Sequence, residues 1–290
     1  MLVDPATLEL APGVERLLPQ EGLKTELFSC LVETNTPVCE TAVEACRELR
    51  RLRRLVHERA EGEGLAVAAA GSHPFSSPSE QRIVDEPRYV KMVAELGPIA
   101  KRQLVCGLHV HVGMASFEEC LRTLARIRGW LPHVLDLSSN SPYLAGVETG
   151  VLSSRLGRLH ELPRSGPPPE LPTVADWEAA VAEAGVDYTR IWWDARPHPR
   201  LGTLEVRIAD QPTSVERSVA LAALVQALCA APPEPGPELL DAVRPAAGEL
   251  GTGELVETLR EPVEALRQLE VGRADGLEAV TADLVSRSRV

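Results

Sequence analysis

The sequence predicts an α+β protein in which an antiparallel sheet packs helices on one face and leaves an open polar basin on the other. Three separate stretches predict the sheet, because each alternates apolar with polar residues as a half-buried strand does. Stretches with apolar residues at helical spacing stand between them and predict the covering helices. The uncovered face of an antiparallel sheet is solvated, so the polar residues of the three strands would meet there.

The composition is that of a globular protein, since 44% of the 290 residues are hydrophobic and a sizeable core can form. The formal net charge of −12 argues against nucleic acid or an anionic membrane as the main partner, although a local arginine cluster could still bind phosphate. No signal peptide is visible, and the longest apolar run, about 219–231, is too short to span a bilayer. Six cysteines without a C-x-x-C pair predict reduced thiols in a cytoplasmic protein.

The first predicted strand covers 28–35 and ends at Pro37. Its mixed face carries Glu33 and Asn35, which are two residues apart and therefore point to the same side. This pair could belong to a site, and exposed positions on an edge strand explain it equally well. The helix that follows is predicted over 41–62.

The central predicted strand is Leu104–Met114, which alternates strictly. His109 and His111 leave the same side of it, opposite the apolar face. Gly107 and Gly113 lie beside them on the polar face and leave room for something bulky, such as a ligand. Two surface histidines on a strand with one wet face are an equally good explanation of this pattern.

The second half of the chain predicts a hairpin over 191–210 and a helix over 215–230. The second strand of the hairpin sets Glu205 and Arg207 opposite an apolar face. The predicted organisation is a main domain over 1–231, a Pro-rich linker over 232–237, and a C-terminal helical segment over 238–290 that packs on the same domain.

The polar faces together predict a basin of carboxylates, imidazoles and arginines. Carboxylates hold hard divalent cations, and Mg²⁺ in particular keeps waters and substrate phosphates among its ligands. A histidine there would bind phosphate or accept Mn²⁺ instead. Arg207 and Arg196 are natural counter-charges for phosphate or carboxylate. Because the sequence has no glycine-rich phosphate loop, a nucleotide would bind through metal and arginine.

Five motifs resemble, in order, hallmarks of the bacterial type 2 glutamate–cysteine ligase family, also called carboxylate–amine ligases. They are Glu26-Leu27-Phe28 with Val32-Glu33-Thr34-Asn35-Thr36-Pro37-Val38-Cys39, Gly71-Ser72-His73-Pro74-Phe75, Gly107-Leu108-His109-Val110-His111-Val112-Gly113, Ser141-Pro142-Tyr143, and Trp193-Asp194-Ala195-Arg196-Pro197 with Gly202-Thr203-Leu204-Glu205-Val206-Arg207. The motifs fall within about residues 1–230, and their joint occurrence in this order is specific.

The resemblance implies a glutamine-synthetase-like fold, in which a curved antiparallel sheet cradles ATP and Mg²⁺ or Mn²⁺. It implies ATP-dependent amide bond formation through an acyl-phosphate, between glutamate and an amine such as cysteine, within glutathione biosynthesis. Arg207 would neutralise phosphate charge as it develops. The implied site consists of Arg207 and Arg196 as catalytic residues, Arg207 and His111 as ATP-binding residues, and Glu26, Glu33, His109 and Glu205 as metal ligands.

Two departures from the family pattern keep an alternative open. Family members usually carry an acidic strand of the type Gly-Val-Glu-Glu-Glu before the segment that corresponds to 2–5, and this sequence begins after it. The segment 232–237 also stands where the family has an Asn/Arg/Trp-rich helical segment. We therefore expect either a start upstream or a reduced, non-catalytic homologue that binds metal or nucleotide or serves as an interaction subunit.

A metal hydrolase that uses the two histidines is a third, weaker hypothesis, because such a site needs three convergent ligands. A homodimer is compatible with each of these hypotheses.

Overall fold

The computed structural model describes residues 1–232 and 238–290, in which short strands alternate with helices. The strands are β1 (Leu2–Val3), β2 (Leu23–Thr25), β3 (Val32–Thr34), β4 (Ala66–Val67), β5 (Val110–Gly113), β6 (Tyr143–Leu144), β7 (Val147–Glu148), β8 (Ser165–Gly166), β9 (Trp192–Trp193), β10 (Ala195–His198) and β11 (Thr203–Val206). The α-helices are α1 (Ala42–Gly62), α2 (Pro87–Leu96), α3 (Pro98–Lys101), α4 (Phe117–Ile127), α5 (Leu131–Ser138), α6 (Ser154–Leu159), α7 (Val174–Ala184), α8 (Val215–Ala230), α9 (Leu239–Glu249), α10 (Gly253–Glu257), α11 (Glu264–Asp275) and α12 (Leu277–Arg287). The predicted mixture of helices and strands is confirmed.

The strands pair in small sheets. The largest has three antiparallel strands in the order β10-β11-β5. The pairs β1-β4, β2-β3 and β6-β7 are antiparallel, and β8-β9 is parallel. The predicted hairpin over 191–210 is confirmed as β10 and β11, which pair directly.

Helices α1 and α4 each begin after a hydroxyl side chain that caps the first turn. The hydroxyl of Thr41 accepts a hydrogen bond from the N–H of Glu44 (3.2 Å) at the start of α1. The hydroxyl of Ser116 accepts one from the N–H of Glu119 (3.1 Å) at the start of α4. Each bond satisfies an amide that has no partner inside its helix.

The first predicted strand is only partly formed. A turn occupies Ser29 and Cys30, and β3 begins at Val32. Ser29 is fully buried, and its hydroxyl donates to Glu15 Oε2 (2.6 Å) while its N–H donates to the carbonyl of Arg82 (2.9 Å). These tertiary contacts compete with strand geometry at this point, and the alternation of residue types does not reveal them.

Buried apolar side chains form two cores. The first lies between α4, α8, α9 and the β10-β11-β5 sheet and includes Trp130 and Leu224. The second lies between β1, α1 and α12 and includes Phe28 and Leu284. Helix α1 contributes to both cores, since Ala42 packs in the first and Leu52 and Val56 pack in the second.

The predicted division at 231 and 237 stays a prediction, and residues 233–237 of the predicted linker lie outside the described residues. Helices α9 and α12 both follow these residues in the chain: α9 packs in the first core and α12 in the second. Nowhere in 1–232 or 238–290 does a helix combine the length and apolar character needed to cross a membrane.

Candidate functional site

One row of polar side chains crosses the three-stranded sheet. Arg196 on β10, Glu205 on β11 and His111 on β5 are direct partners in the register, so they project from the same face. His109 precedes His111 by two residues, and both side chains are partly buried, with 40% and 35% of their surface exposed. The opposite face of β5 packs Val110 and Val112 against the first core.

Glu205 is the centre of this row and is only 3% exposed. Its Oε2 accepts hydrogen bonds from Arg196 Nε (3.0 Å) and Nη2 (2.7 Å). Its Oε1 faces His109 Nδ1 (3.5 Å), His111 Nε2 (4.0 Å) and Arg207 Nη1 (3.9 Å). Burial alone would raise the pKa of Glu205, but Arg207 and its other positive neighbours lower it to about 2. Glu205 is therefore ionised, and its Oε1 is turned toward His109, His111 and Arg207.

The guanidinium of Arg196 donates its hydrogen bonds to other groups of the protein. Beyond the two bonds to Glu205, Nη1 donates to the carbonyls of Tyr188 (3.2 Å), Thr189 (2.9 Å) and Ile191 (2.6 Å). Each guanidinium nitrogen thus has a partner, and the side chain ties Glu205 to the turn at 188–191. These contacts suit a residue that orients Glu205 better than one that contacts substrate, so the predicted catalytic role of Arg196 stays a prediction.

Arg207 differs from Arg196 although both are buried. Its side chain is 9% exposed, and Nε is buried without a hydrogen-bond partner among the described residues. The nearest carboxylate oxygen is Glu205 Oε1, 3.9 Å from Nη1. Burial lowers the pKa of Arg207 to about 10, so the group is still charged at neutral pH. A buried cation with an unpaired donor is costly, and an anionic ligand would offset that cost.

The two histidines are neutral at physiological pH. Burial against the sheet and the charge of Arg207 lower the pKa of His109 to about 3. Burial also lowers the pKa of His111, although Glu205 opposes that shift. His111 Nδ1 lies 3.0 Å from Thr203 Oγ1, which leaves Nε2 on the side of Glu205. Neutral rings can serve as hydrogen-bond donors or as metal ligands.

Glu26 and Glu33 belong to the region of another strand pair, β2-β3. Glu26 follows β2, and its pKa is raised by burial and by the charge of Glu33, while Arg88 and Arg207 oppose the shift. Glu26 is therefore within electrostatic range of both Glu33 and Arg207. Glu33 itself is exposed on β3, where Oε1 accepts a hydrogen bond from Asn35 Nδ2 (2.7 Å).

The structure thus brings His109, Glu205 and Arg207 together and keeps Glu33 at the margin. Within the described ranges, no three His, Cys, Asp or Glu side chains are placed to hold a metal ion as a group. The four predicted metal ligands, Glu26, Glu33, His109 and Glu205, therefore do not form such a group among the described residues. Their role as ligands stays a prediction.

The sequence did not single out Arg155 and Asp210, which lie next to this site and are 3% and 0% exposed. The space beside Gly107 that was predicted to admit a ligand is filled by Arg155: a Cβ on Gly107 would lie 2.0 Å from Arg155 Nη2. The space beside Gly113 is open, with no atom within 4 Å of a Cβ there. Gly107, a glycine within an alternating strand pattern, indicates that another group approaches the backbone there. The sequence does not identify that group as Arg155.

Comparisons with known proteins give a consistent result. A family model described as glutamate–cysteine ligase family 2 matches residues 4–282. A protein of Rubrobacter xylanophilus named "Putative glutamate--cysteine ligase 2-1" is 42% identical over 240 residues, which cover 79% of this chain and 64% of that protein. A similarly named protein of Herpetosiphon aurantiacus is 39% identical over 238 residues, covering 78% of this chain and 62% of that protein. The match therefore spans slightly less than two thirds of the length of these relatives.

Proposed function

This chain belongs to the glutamate–cysteine ligase family 2, and on that premise we propose that it joins a carboxylate to an amine at the expense of ATP. The family match and the names of the relatives support a ligase of the glutamate–cysteine type. Glutamate and cysteine are the substrates that we propose, and cytoplasmic glutathione biosynthesis is the process that the reaction would serve.

The structural observation that carries the proposal is the buried guanidinium of Arg207, whose Nε has no partner among the described side chains and backbone groups. Guanidinium groups bind phosphate oxygens strongly, and the energy of such a contact is greatest where water is excluded. Arg207 would therefore hold the terminal phosphate of ATP, and His111, which is partly exposed on the same face, would supply a second contact.

The proposed reaction has two steps. A carboxylate oxygen of glutamate attacks the terminal phosphorus of ATP, and ADP leaves, which yields an acyl-phosphate. The amine nitrogen then attacks the acyl carbon, loses a proton and expels inorganic phosphate. Negative charge spreads over the phosphoryl oxygens in the first step, and Arg207 is the group placed to stabilise it. Glu205 would keep that guanidinium in place, because its Oε1 is 3.9 Å from Arg207 Nη1.

The described donors do not form a cation site of their own, so the Mg²⁺ or Mn²⁺ that we propose as cofactor would be held mainly through ATP. Magnesium that arrives with ATP brings phosphate oxygens and waters as ligands.

We further propose that the small sheets act as one curved surface with an open polar basin. Backbone hydrogen bonds at the strand ends support this: Asp194, between β9 and β10, donates its N–H to Gly166 O on β8 (2.9 Å), and its carbonyl accepts from Arg207 N, just after β11 (2.9 Å).

The proposal is tested by incubating the purified chain with ATP, Mg²⁺ or Mn²⁺, glutamate and cysteine. We expect ADP, phosphate and a dipeptide in equal amounts, and no dipeptide when either amino acid is omitted. Calorimetric binding of ATP without turnover would favour the non-catalytic homologue instead. A chain that neither binds ATP nor forms a dipeptide would overturn both hypotheses.

A further inference from the structure

Arg155 is a buried arginine that touches the backbone behind Arg207. Its Nη2 donates to the carbonyl of Arg207 (3.0 Å), and its Nη1 donates to the carbonyl of Ile208 (3.0 Å). The side chain comes from α6, more than fifty residues away in sequence. The contact therefore joins a separate helix to the residue that carries the candidate anion-binding group.

The two carbonyls are available because the strand pairing shifts at this point. Val110 pairs with Val206, whereas the next bridge joins Gly107 to Asp210. Between these two pairs, one strand spans three residue steps (110 to 107) and the other spans four (206 to 210). The second strand therefore contains one extra residue, which is a β-bulge. A bulge changes the direction of the side chains that it contains, and Arg207 lies at its start.

Arg155 is itself held in place by a buried acid. Asp210 Oδ1 lies 4.0 Å from Arg155 Nη1 and accepts a hydrogen bond from Ser153 Oγ (2.8 Å). Asp210 Oδ2 accepts bonds from Asn140 N (2.9 Å) and Ser141 Oγ (2.6 Å). Because its charge faces Asp210 and its donors serve carbonyls, Arg155 is not a free anion-binding group like Arg207.

The room for Arg155 depends on Gly107. A Cβ at position 107 would lie 2.0 Å from Arg155 Nη2 and 2.5 Å from Cζ, closer than real Cβ atoms approach other atoms. The guanidinium is packed in a space with 3% exposure, so it cannot simply move into solvent. Any side chain at 107 would therefore displace the guanidinium from the bulge.

We propose that Arg155 is a positioning residue: it fixes the bulge at 207–209 and so directs the Arg207 guanidinium toward the anion, and Gly107 is glycine because this guanidinium occupies its side-chain space. The identity of the anion, the triphosphate of ATP, rests on the proposed function. The contact between Arg155 and the bulge does not depend on that function.

The test compares Gly107→Ala with Gly113→Ala. Gly113 ends β5 and Gly107 shortly precedes it, but the Cβ of an alanine at 113 would meet no atom within 4 Å. We expect Gly107→Ala to lower the affinity for ATP, measured by calorimetry at fixed ionic strength, by about tenfold or more. We expect Gly113→Ala to stay within about twofold of wild type. Far-UV circular dichroism checks that both variants are folded.

A coupling measurement separates positioning from general damage. In an Arg207→Gln background, Gly107→Ala should cause little further loss of ATP affinity, because the group that it misdirects is already absent. If the two losses simply add, the proposal is wrong. Should Gly107→Ala fail to fold, Arg155→Lys takes its place in the same cycle, since lysine keeps the charge but cannot bridge two carbonyls.

Hydrogen exchange tests the contact without any ligand. The amides of 207–209 should exchange faster in Gly107→Ala than in wild type, and at the wild-type rate in Gly113→Ala. If the amides exchange faster in Gly107→Ala but the wild-type protein does not bind ATP, the positioning role is supported and the proposed function is rejected. Unchanged exchange and unchanged ATP affinity in a folded Gly107→Ala would overturn the positioning role itself.

Discussion

Two arginines whose pKa values burial lowers to about 10 illustrate how partners decide the role of a residue. Arg53 Nη1 donates to the carbonyls of Thr213 (2.9 Å) and Ser288 (3.2 Å), so its charge is used for structure. Arg207 has a buried Nε without a partner among the described residues. The two side chains thus form a natural comparison between a structural cation and the cation that we propose binds the anion.

Replacing each arginine by glutamine should separate stability from binding. We expect Arg207→Gln to lower ATP affinity by about tenfold or more while the free energy of unfolding changes by less than about 1 kcal/mol, because few native contacts are lost. We expect Arg53→Gln to lower the free energy of unfolding by about 2 kcal/mol and to leave ATP affinity within about twofold. Calorimetry and urea unfolding measure the two quantities. Equal effects of both variants on both quantities would contradict the distinction.

His73 should make the protein sensitive to acid. The ring is 2% exposed, its Nε2 lies 3.0 Å from the carbonyl of Leu8, and its Nδ1 accepts from the N–H of Ser76 (3.0 Å). These contacts assign the proton to Nε2, and burial lowers the pKa to about 4. Between about pH 6.5 and 4 the unfolded chain therefore binds a proton that the folded chain does not.

The contribution of His73 to stability is complete above about pH 6.5 and is lost as the pH falls, by up to about 3 kcal/mol near pH 4. Urea unfolding at about pH 7 and pH 4.5 measures this change. His73→Gln should reduce the difference between the two pH values, and an unchanged difference in a folded variant would refute the role of this ring. Other histidines contribute equally to both proteins and cancel in the comparison.

At the residue scale, the sequence predicted which side chains share a face but not what they bind. The common side of His109 and His111 follows from strict alternation, which is a local property. The commitment of Arg196 to three carbonyls depends on the turn at 188–191, and the position of Arg155 depends on a contact more than fifty residues distant. Neither contact leaves a periodic signal in the chain.

At the element scale, the start of α8 is stabilised by a residue of α11. The N–H groups of Thr213 and Ser214 donate to Glu264 Oε2 (2.8 Å) and Oε1 (3.3 Å). Glu264 is 5% exposed, and its negative charge faces the positive end of the helix dipole. This carboxylate therefore joins the C-terminal helices to the main helix of the first core.

Glu264→Ala should lower the free energy of unfolding by about 2 kcal/mol, because one buried and one partly buried amide lose their acceptor. Glu270→Ala is a matched control, since Glu270 is an exposed glutamate on the same helix. We expect that control to change stability by less than about 0.5 kcal/mol. Urea unfolding measures the free energy of unfolding of both variants. Losses of similar size would show that the contact of Glu264 with the start of α8 adds no specific stability.

The elements were predicted best where their signals are local. Helix α1 has its cap at Thr41 and an apolar stripe, so its start and end agree with the sequence. The strand predicted at 28–35 is interrupted because buried Ser29 bonds to Glu15 and Arg82 instead. The sequence alternation at this place is real, but hydrogen bonds from distant residues override it.

At the scale of the whole molecule, the last turn of the chain holds the second core together. Ser288 is 1% exposed, and its hydroxyl accepts from the N–H of Ala69 (2.8 Å) and donates to the carbonyl of Leu284 (2.6 Å). Its own carbonyl lies 2.9 Å from His57 Nε2 on α1. Because α1 belongs to both cores, a loss at this point should be transmitted to the first core as well.

Ser288→Ala should lower the free energy of unfolding by about 1–2 kcal/mol, because the buried N–H of Ala69 loses its acceptor. Tryptophan fluorescence reports mainly the first core, where Trp130, Trp177 and Trp193 pack, and we expect its unfolding midpoint to shift together with the circular dichroism signal. The exposed Ser286→Ala is the control and should shift neither. A tryptophan transition that stays in place would show that the two cores unfold independently.

The open space above Gly113 makes the protein suitable for optical detection of its ligands. A cysteine at this position would meet no neighbouring atom within 4 Å and would stand two residues from His111. A solvent-sensitive dye attached there would change colour or brightness when a ligand displaces water from the adjacent surface. Cys30, Cys120 and Cys229 are buried, so Cys39, Cys46 and Cys106 are the native thiols to replace before labelling.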